Sequence, residues 1–176
     1  MSVATAVPTG TWTADKVHSS IGFEVEHMVS TFRGRFEDYD VRIADGRLEG
    51  AVRVASVRVY DENLEAHLQS PDFFDAELHP ELRFESRDLT IDDEGGVTLE
   101  GDLTIKGVTK PVTGRGRYVH VEADMGGGER IGLALEATVD RREFALNWNA
   151  PLPKGGFVLG NDVTLVVALE LVRAAE

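Results

Sequence analysis

Apolar and polar residues alternate along most of this chain, with the period of two that lets a β-strand bury one face and wet the other. The first run sets Ile21, Phe23 and Val25 against Gly22, Glu24 and Glu26. A second, from about Thr31 to Ile43, puts Phe32, Gly34 and Phe36 on one parity and Val41 and Ile43 on the other, so a bulge is expected near Asp38–Tyr39. Asp45–Gly46 has hairpin-turn chemistry, and Leu48, Gly50, Val52 and Val54 face inward after it. Leu82, Phe84 and Ser86 open the next strand. Val97, Leu99, Gly101, Leu103 and Ile105 alternate most regularly, up to a turn at Lys106–Gly107. Gly114, Gly116, Tyr118 and His120 share a parity after Val112. Ile131 to Val139 and Val163 to Leu171 supply two more strands.

Two adjacent stretches break the pattern. In DENLEAHLQ, opened by Asp61, Leu64 and Leu68 make a narrow helical stripe. Ser70 to Pro80, SPDFFDAELHP, predicts a second short helix: Ser70 as cap, Pro71 at the first position, Asp72 and Asp75 in the first turn, and Pro80 as the stop. Phe74 and Leu78, four apart, would share one face beside Phe73. Two readings of this stretch stand side by side: a lid over a hollow interior, or a connection whose phenylalanines fill a core. Residues 145–161 are irregular and rich in Gly and Pro. The run Gly126–Gly128 reads as a hairpin loop, because a phosphate cradle needs a following helix and a strand follows here.

Roughly eight or nine strands in consecutive hairpins, several longer than the usual five or six residues, predict an all-β fold, an antiparallel up-and-down barrel closed to remove its edges. One or two short helices are inserted between residues 61 and 80. A barrel of this size is either filled by side chains or holds one small ligand. Gly50, Gly101, Gly114 and Gly116, all of inward parity, favour space inside, with sharp strand coiling as the rival explanation. Residues 1–9 read as a flexible tail and residues 10–174 as one domain.

Composition narrows the function. The chain has 176 residues, 42% hydrophobic and 28% charged, enough for one core. A formal charge of -13 opposes nucleic acid and anionic membrane surfaces. The absence of cysteine removes disulfides and thiolate metal sites. Neither a signal-peptide pattern nor an apolar run of membrane-spanning length is present, so a cytoplasmic protein without stable membrane insertion is expected. Histidines 18, 27, 67, 79 and 120 form no HExxH or HxH pattern, and no metal is expected. GxSxG is absent too. Asp72 and Asp75 could act as paired carboxylates, but a helix start would already account for them.

WTADKVHSSIGFEVEHM at Trp12–Met28, SPDFFDAELHPELRFES at Ser70–Ser86, GDLTIKGVTKPV at Gly101–Val112 and VDRREF at Val139–Phe144 together resemble the YceI-like family. With the glycine-rich loop and terminal strand that follow, the resemblance spans about Trp12 to Val172. It implies an extended lipocalin-like barrel holding a long isoprenoid-type lipid, such as a polyisoprenoid or quinone tail, with no other cofactor and no catalytic residue. Two departures accompany it. Ala145 stands where the family usually has glycine after the RxxF phenylalanine, so the turn there is expected to differ. Many relatives carry an export signal, and none is evident here.

On that reading the lumen wall comprises Phe23, Val25, Phe36, Val52, Phe84, Leu103, Ile105, Leu133, Leu135, Leu165 and Val167. Phe73, Phe74 and Leu78 would gate it, with Trp148 and Phe157 helping to close. His18, His27 and Asp72 are candidates for polar contacts near the lid or with a headgroup. Two alternatives remain open: an isomerase, cyclase or hydrolase working in the same cavity, and an acidic protein-interaction module. An antiparallel barrel with acidic walls could also pair into a homodimer along one strand.

Overall fold

The computed structural model describes residues 6–174. Among these, the alternating runs form strands β1 (Thr11–Ala14), β2 (Ser20–His27), β3 (Ser30–Phe36), β4 (Tyr39–Ala44), β5 (Arg47–Arg53) and β6 (Val57–Arg58). After a helix, α1 (Glu62–Gln69), come β7 (Glu81–Ile91), β8 (Gly96–Ile105), β9 (Val108–Val121), β10 (Arg130–Asp140) and β11 (Leu159–Arg173). All pair antiparallel, in the ring β1–β4–β5–β7–β8–β9–β10–β11, which closes where Trp12 faces Arg173. Strand β2 takes the other half of the same β11 edge, with Val25 opposite Val163; β3 pairs with β2 and β6 with β3. Strands β1 and β2 are thus two lengths of one stave, as are β3 and β4, and β5 and β6. The break between β3 and β4, at Glu37–Asp38, falls where the parity slip put a bulge.

Hairpin chemistry fixes the register. Asp45 and Gly46 have φ of 52° and 76°, and Lys106 and Gly107 have 53° and 77°. Both pairs take the two positive φ values of the turn whose twist matches flanking strands.

Burial grades along the barrel axis. In β11, Leu171 is 0% and Leu169 4% exposed, whereas Val167, Leu165 and Val163 are only half-buried although they share the inward parity. Side chains from five staves meet at the Leu171 end: Trp12, Ile43, Ile91, Ile131, Leu133 and Leu171 are all sealed from solvent. The chain's start covers this end. Val7 packs on the core, the indole N–H of Trp12 donates to the Pro8 carbonyl at 3.0 Å, and Arg173 donates to the Thr9 carbonyl at 2.6 Å. The expected flexible tail therefore lies partly outside the described residues, and its last three are tied to the barrel.

The second expected helix does not form. Ser70 ends α1 instead, its hydroxyl donating to the His67 carbonyl at 2.6 Å, and residues 71–78 are successive turns. Asp75 takes φ 52°, which a helix cannot contain, and the chain turns there so that Phe74 is buried while Leu78 stays 72% exposed. A helix this short has little stability of its own, and burial of one aromatic outweighs it.

A candidate ligand cavity under a lid

At the end opposite Trp12 the staves do not meet. Strand β6 pairs with β3 but not with β7, and the chain from Val59 to Pro80 leaves the wall and crosses the opening. Asp61 starts α1 by accepting from the Asn63 and Leu64 amides at 2.8 and 3.0 Å, with Glu62 and Glu65 in the first turn. Leu68 points inward from α1 and is buried. Lys106, in the β8–β9 turn, donates to the carbonyls of Pro71 at 2.9 Å and Ala145 at 3.3 Å, tying the turn segment to the loop after β10.

Beneath this cover lie two adjoining cavities. The larger, ≈ 340 Å³, is bordered by α1, the Phe73–Phe74 turn, the lid-side ends of β2, β3, β10 and β11, and the loop through Trp148. The smaller, ≈ 160 Å³, continues along the axis toward the sealed end, between β5, β7, β8, β9 and β10. Phe36, Leu82, Ile105 and Leu165 border both.

Two aromatic groups shape the larger space. Inside, Phe23 and Phe36 stand 5.9 Å apart, and Phe74 meets both edge-on at 6.4 and 5.9 Å. The Phe23 ring also covers Gly34 on the paired strand, where any Cβ would strike it. At the outer rim His67 is edge-on to Phe73 and to Trp148, both at 4.9 Å between centroids, and its Nε2 lies 3.0 Å from an Asp72 oxygen. Such contacts contribute about 0.5–1.5 kcal/mol each and join lid segments that are far apart in the chain.

Most wall residues expected from the sequence border this space. Phe23, Val25, Phe73, Phe74 and Trp148 line the larger cavity, Val52, Phe84, Leu103, Leu135 and Val167 the smaller, and Phe36, Ile105 and Leu165 both. Three apolar candidates do not. Leu133 sits in the solid end, 1% exposed, because its place on β10 is two residues nearer the sealed end than Leu135. Leu78 and Phe157, 72% and 63% exposed, point to solvent and gate nothing. Of the polar candidates, His27 borders the larger cavity, and Asp72 reaches it only through His67. His18 is at the opposite end, exposed and paired with Asp15 at 2.9 Å and Glu170 at 3.3 Å, so it is no lid residue.

The glycines divide as well. Gly50 and Gly114 face the smaller cavity, and a Cβ there would find ordinary contacts at 3.6 Å or more. Gly101 is a seat for the Phe84 ring, and a Cβ on Gly116 would collide with the Ala134 carbonyl. At those two positions the close approach of a neighbouring strand, not room for a ligand, requires glycine.

Arg141 is not among the site residues expected from the sequence. It is 4% exposed and borders the larger cavity; its Nε donates to the Gly160 carbonyl at 2.8 Å, and its Nη1 to those of Leu146 at 2.7 Å and Trp148 at 2.8 Å. Burial lowers its pKa from the usual value, with the Asp140 charge opposing, yet arginine stays protonated. The signal was the parity of β10: the inward set Leu135, Ala137, Val139 continues by two to Arg141. His67, which reads as a solvated helix residue, is half-buried at the same cavity.

Ala145 follows Phe144 with φ 60° and ψ 24°, the left-handed conformation that glycine adopts most easily. Alanine here takes on the glycine-like turn.

Comparisons with known proteins agree with this architecture. A UPF0312 protein of Staphylococcus aureus is 31% identical over 168 residues, covering 90% of this chain and 95% of its own. The crystal structure of Burkholderia cenocepacia BcnA superposes with a TM-score of 0.74 at 21% identity, covering 92% of this chain and 99% of the other. A polyisoprenoid binding domain from Saccharophagus degradans has a TM-score of 0.64 at 12% identity, covering 93% and 98%. The model of the YceI-like domain matches residues 12–171, and on that match, supported by the closed barrel and its inserted lid, the chain belongs to the YceI-like family.

Proposed function

We propose that this chain binds and carries a long amphipathic lipid of isoprenoid type in its lumen, without a chemical step. The observation that carries the reading is the pair of adjoining cavities along the axis, ≈ 340 and ≈ 160 Å³, walled almost wholly by aliphatic and aromatic side chains. Such a space suits a chain rather than a compact solute. Transfer from water contributes about 0.8 kcal/mol per methylene, and affinity then grows with the length of chain enclosed. The polyisoprenoid binding domain from Saccharophagus degradans has the same fold, which supports the choice of ligand class. Rim contacts of His67, Phe73 and Trp148 would keep water from the enclosed chain and slow its escape.

Solvent extraction of protein purified from cells, followed by mass spectrometry, tests the proposal. A stoichiometric, chemically unaltered long-chain amphiphile is the expected result. Recovery of no lipid, together with failure of added isoprenoids to alter Trp148 emission, would sink it.

A further inference from the structure

Arg141 presents an imbalance that loop packing alone leaves unresolved. A guanidinium carries five N–H donors. Nε and Nη1 supply three of them to the carbonyls of Gly160, Leu146 and Trp148, which staples the loop after β10 onto the barrel. Nη2 meets no protein acceptor among the described residues. No side-chain nitrogen or oxygen that is fully enclosed lacks a partner among them, so Nη2 is not sealed in protein and borders open volume. The volume that this buried side chain borders is the larger cavity.

No carboxylate forms an ion pair with Arg141 in the cavity wall, although the Asp140 charge acts on it at longer range. The residues lining the larger cavity include neither Asp nor Glu, and Arg141 is their one permanent cation. The adjacent Asp140 is turned away, with both its oxygens taken by Arg142 at 3.0 and 2.7 Å. An unpaired cation beside an apolar space is costly, and an anionic or strongly accepting oxygen brought to Nη2 would offset that cost.

We infer that Arg141 is a headgroup anchor: the bound lipid ends in an oxygen acceptor, most strongly an anionic one, held by Nη2 inside the cavity beneath Trp148. This rests on the lipid-binding reading and adds polarity and direction to it. The head lies under the lid, and the tail runs past Ile105 and Leu165 into the smaller cavity. The loop staple and the anchor are then one side chain, so an occupied head site would stiffen the loop that covers it.

Farnesoic acid, farnesol and farnesene share a carbon skeleton and differ at the head, and titrating the full chain with each while following Trp148 emission tests the anchor. Wild type should bind the acid about tenfold or more tighter than the hydrocarbon. Arg141→Gln should bring that ratio close to one, whatever the loosened loop does to the affinity for farnesene itself. Equal affinity of wild type for acid and hydrocarbon would overturn the anchor and leave the lipid reading standing. Binding of none of the three would overturn both. Should the Gln variant lose its near-ultraviolet circular dichroism, nitrogen NMR of the wild-type arginine side chains decides: the Arg141 Nη2 signal should shift with farnesoic acid and not with farnesene, and an unmoved signal rejects the anchor.

Discussion

The two ends of this barrel are made from the same strands and the same inward parity, yet they solve opposite problems. At the sealed end Trp12, Ile43, Ile91, Ile131 and Leu171 leave no space, and the Arg173 guanidinium lies 4.4 Å over the Trp12 ring as a cap. At the lid end the same staves carry Val163, Leu165, Val139 and Phe23 around open volume, and closure falls to segments outside the sheet. The first end stores folding stability in dispersion contacts; the second gives up part of those contacts and keeps room. A barrel can do both because hydrogen bonding round the ring is continuous at the sealed end and interrupted between β6 and β7 at the other. Open volume is thereby separated from packed core along one axis.

Truncation at each end should break this comparison most sharply. Trp12→Ala should cost about 3–5 kcal/mol, since the site is fully enclosed and the indole hydrogen bond is lost with the ring. Phe74 already borders a cavity, so Phe74→Ala should cost less, about 3 kcal/mol, but it should weaken lipid binding much more than Trp12→Ala does. Chemical denaturation beside ligand titration of both variants reads the contrast. Equal stability losses would mean that the lid end is packed as tightly as the other.

Filling is the complementary test. Gly50→Val places a side chain into the smaller cavity with its Cβ 3.6 Å from Val41, an ordinary contact. Stability should hold or rise by up to about 1 kcal/mol, because glycine is a poor strand residue. Displacing two or three chain carbons, at about 0.8 kcal/mol each, should weaken binding of a long lipid by roughly tenfold or more. Ile43→Phe at the sealed end adds comparable bulk where no space exists and should cost about 1–3 kcal/mol. Stability curves in which the two insertions behave alike would remove the hollow from the account.

How much of this was legible beforehand depends on the range of the forces involved. Strand parity, the Asp45–Gly46 and Lys106–Gly107 turns and the break at Glu37–Asp38 are local, and the chain displays them directly. Which half of an inward row meets a partner across the axis depends on closure, so Leu133 and Leu135 look alike in sequence and differ in surroundings. The turn at Ser70–Pro80 carries helix-start residues, but the pull of Phe74 into the lumen is a tertiary effect that no local propensity reports. His18 reads as a lid candidate only while its partners Asp15 and Glu170, the latter far away in the chain, are out of view. Arg141 was legible by parity, yet a cation is not expected to point inward, and that expectation hid it.

Ala145→Gly sharpens the lid end at a smaller scale. Alanine in the left-handed region is strained by about 1 kcal/mol, and glycine gives back part of that gain through the greater freedom of its unfolded chain. The variant should be stabilised by roughly 0.5 kcal/mol, seen as slower hydrogen exchange at Leu146, whose amide donates to the Arg141 carbonyl. Loss of stability would show that the methyl group makes a contact worth more than its strain.

The smallest effect belongs to the charged rim of the sealed end. Asp124 is held at a pKa of about 2, first by the Arg130 guanidinium at 2.7 Å and then by the amides of Gly128 and Gly126. Asp15 is likewise held at about 2, first by His18 and then by Arg130. A carboxylate depressed in the fold stabilises it fully above its ordinary pKa of 3.8, and that contribution disappears as pH falls through about 2. His18 runs the other way: its pKa is raised from 6.5, first by the Asp15 hydrogen bond, so its share is complete below 6.5 and fades as pH rises through the raised value. These groups are part-exposed at the rim, where solvent screens ion pairs, so Asp124→Asn should lower Tm only slightly at neutral pH. The gap to wild type should narrow between pH 3.8 and about 2, without change in lipid affinity, because Asp124 borders neither cavity. A thermal-melt series across that window checks it, and a gap that widens toward acid would mean the Asp124 carboxylate is not charged in the folded state.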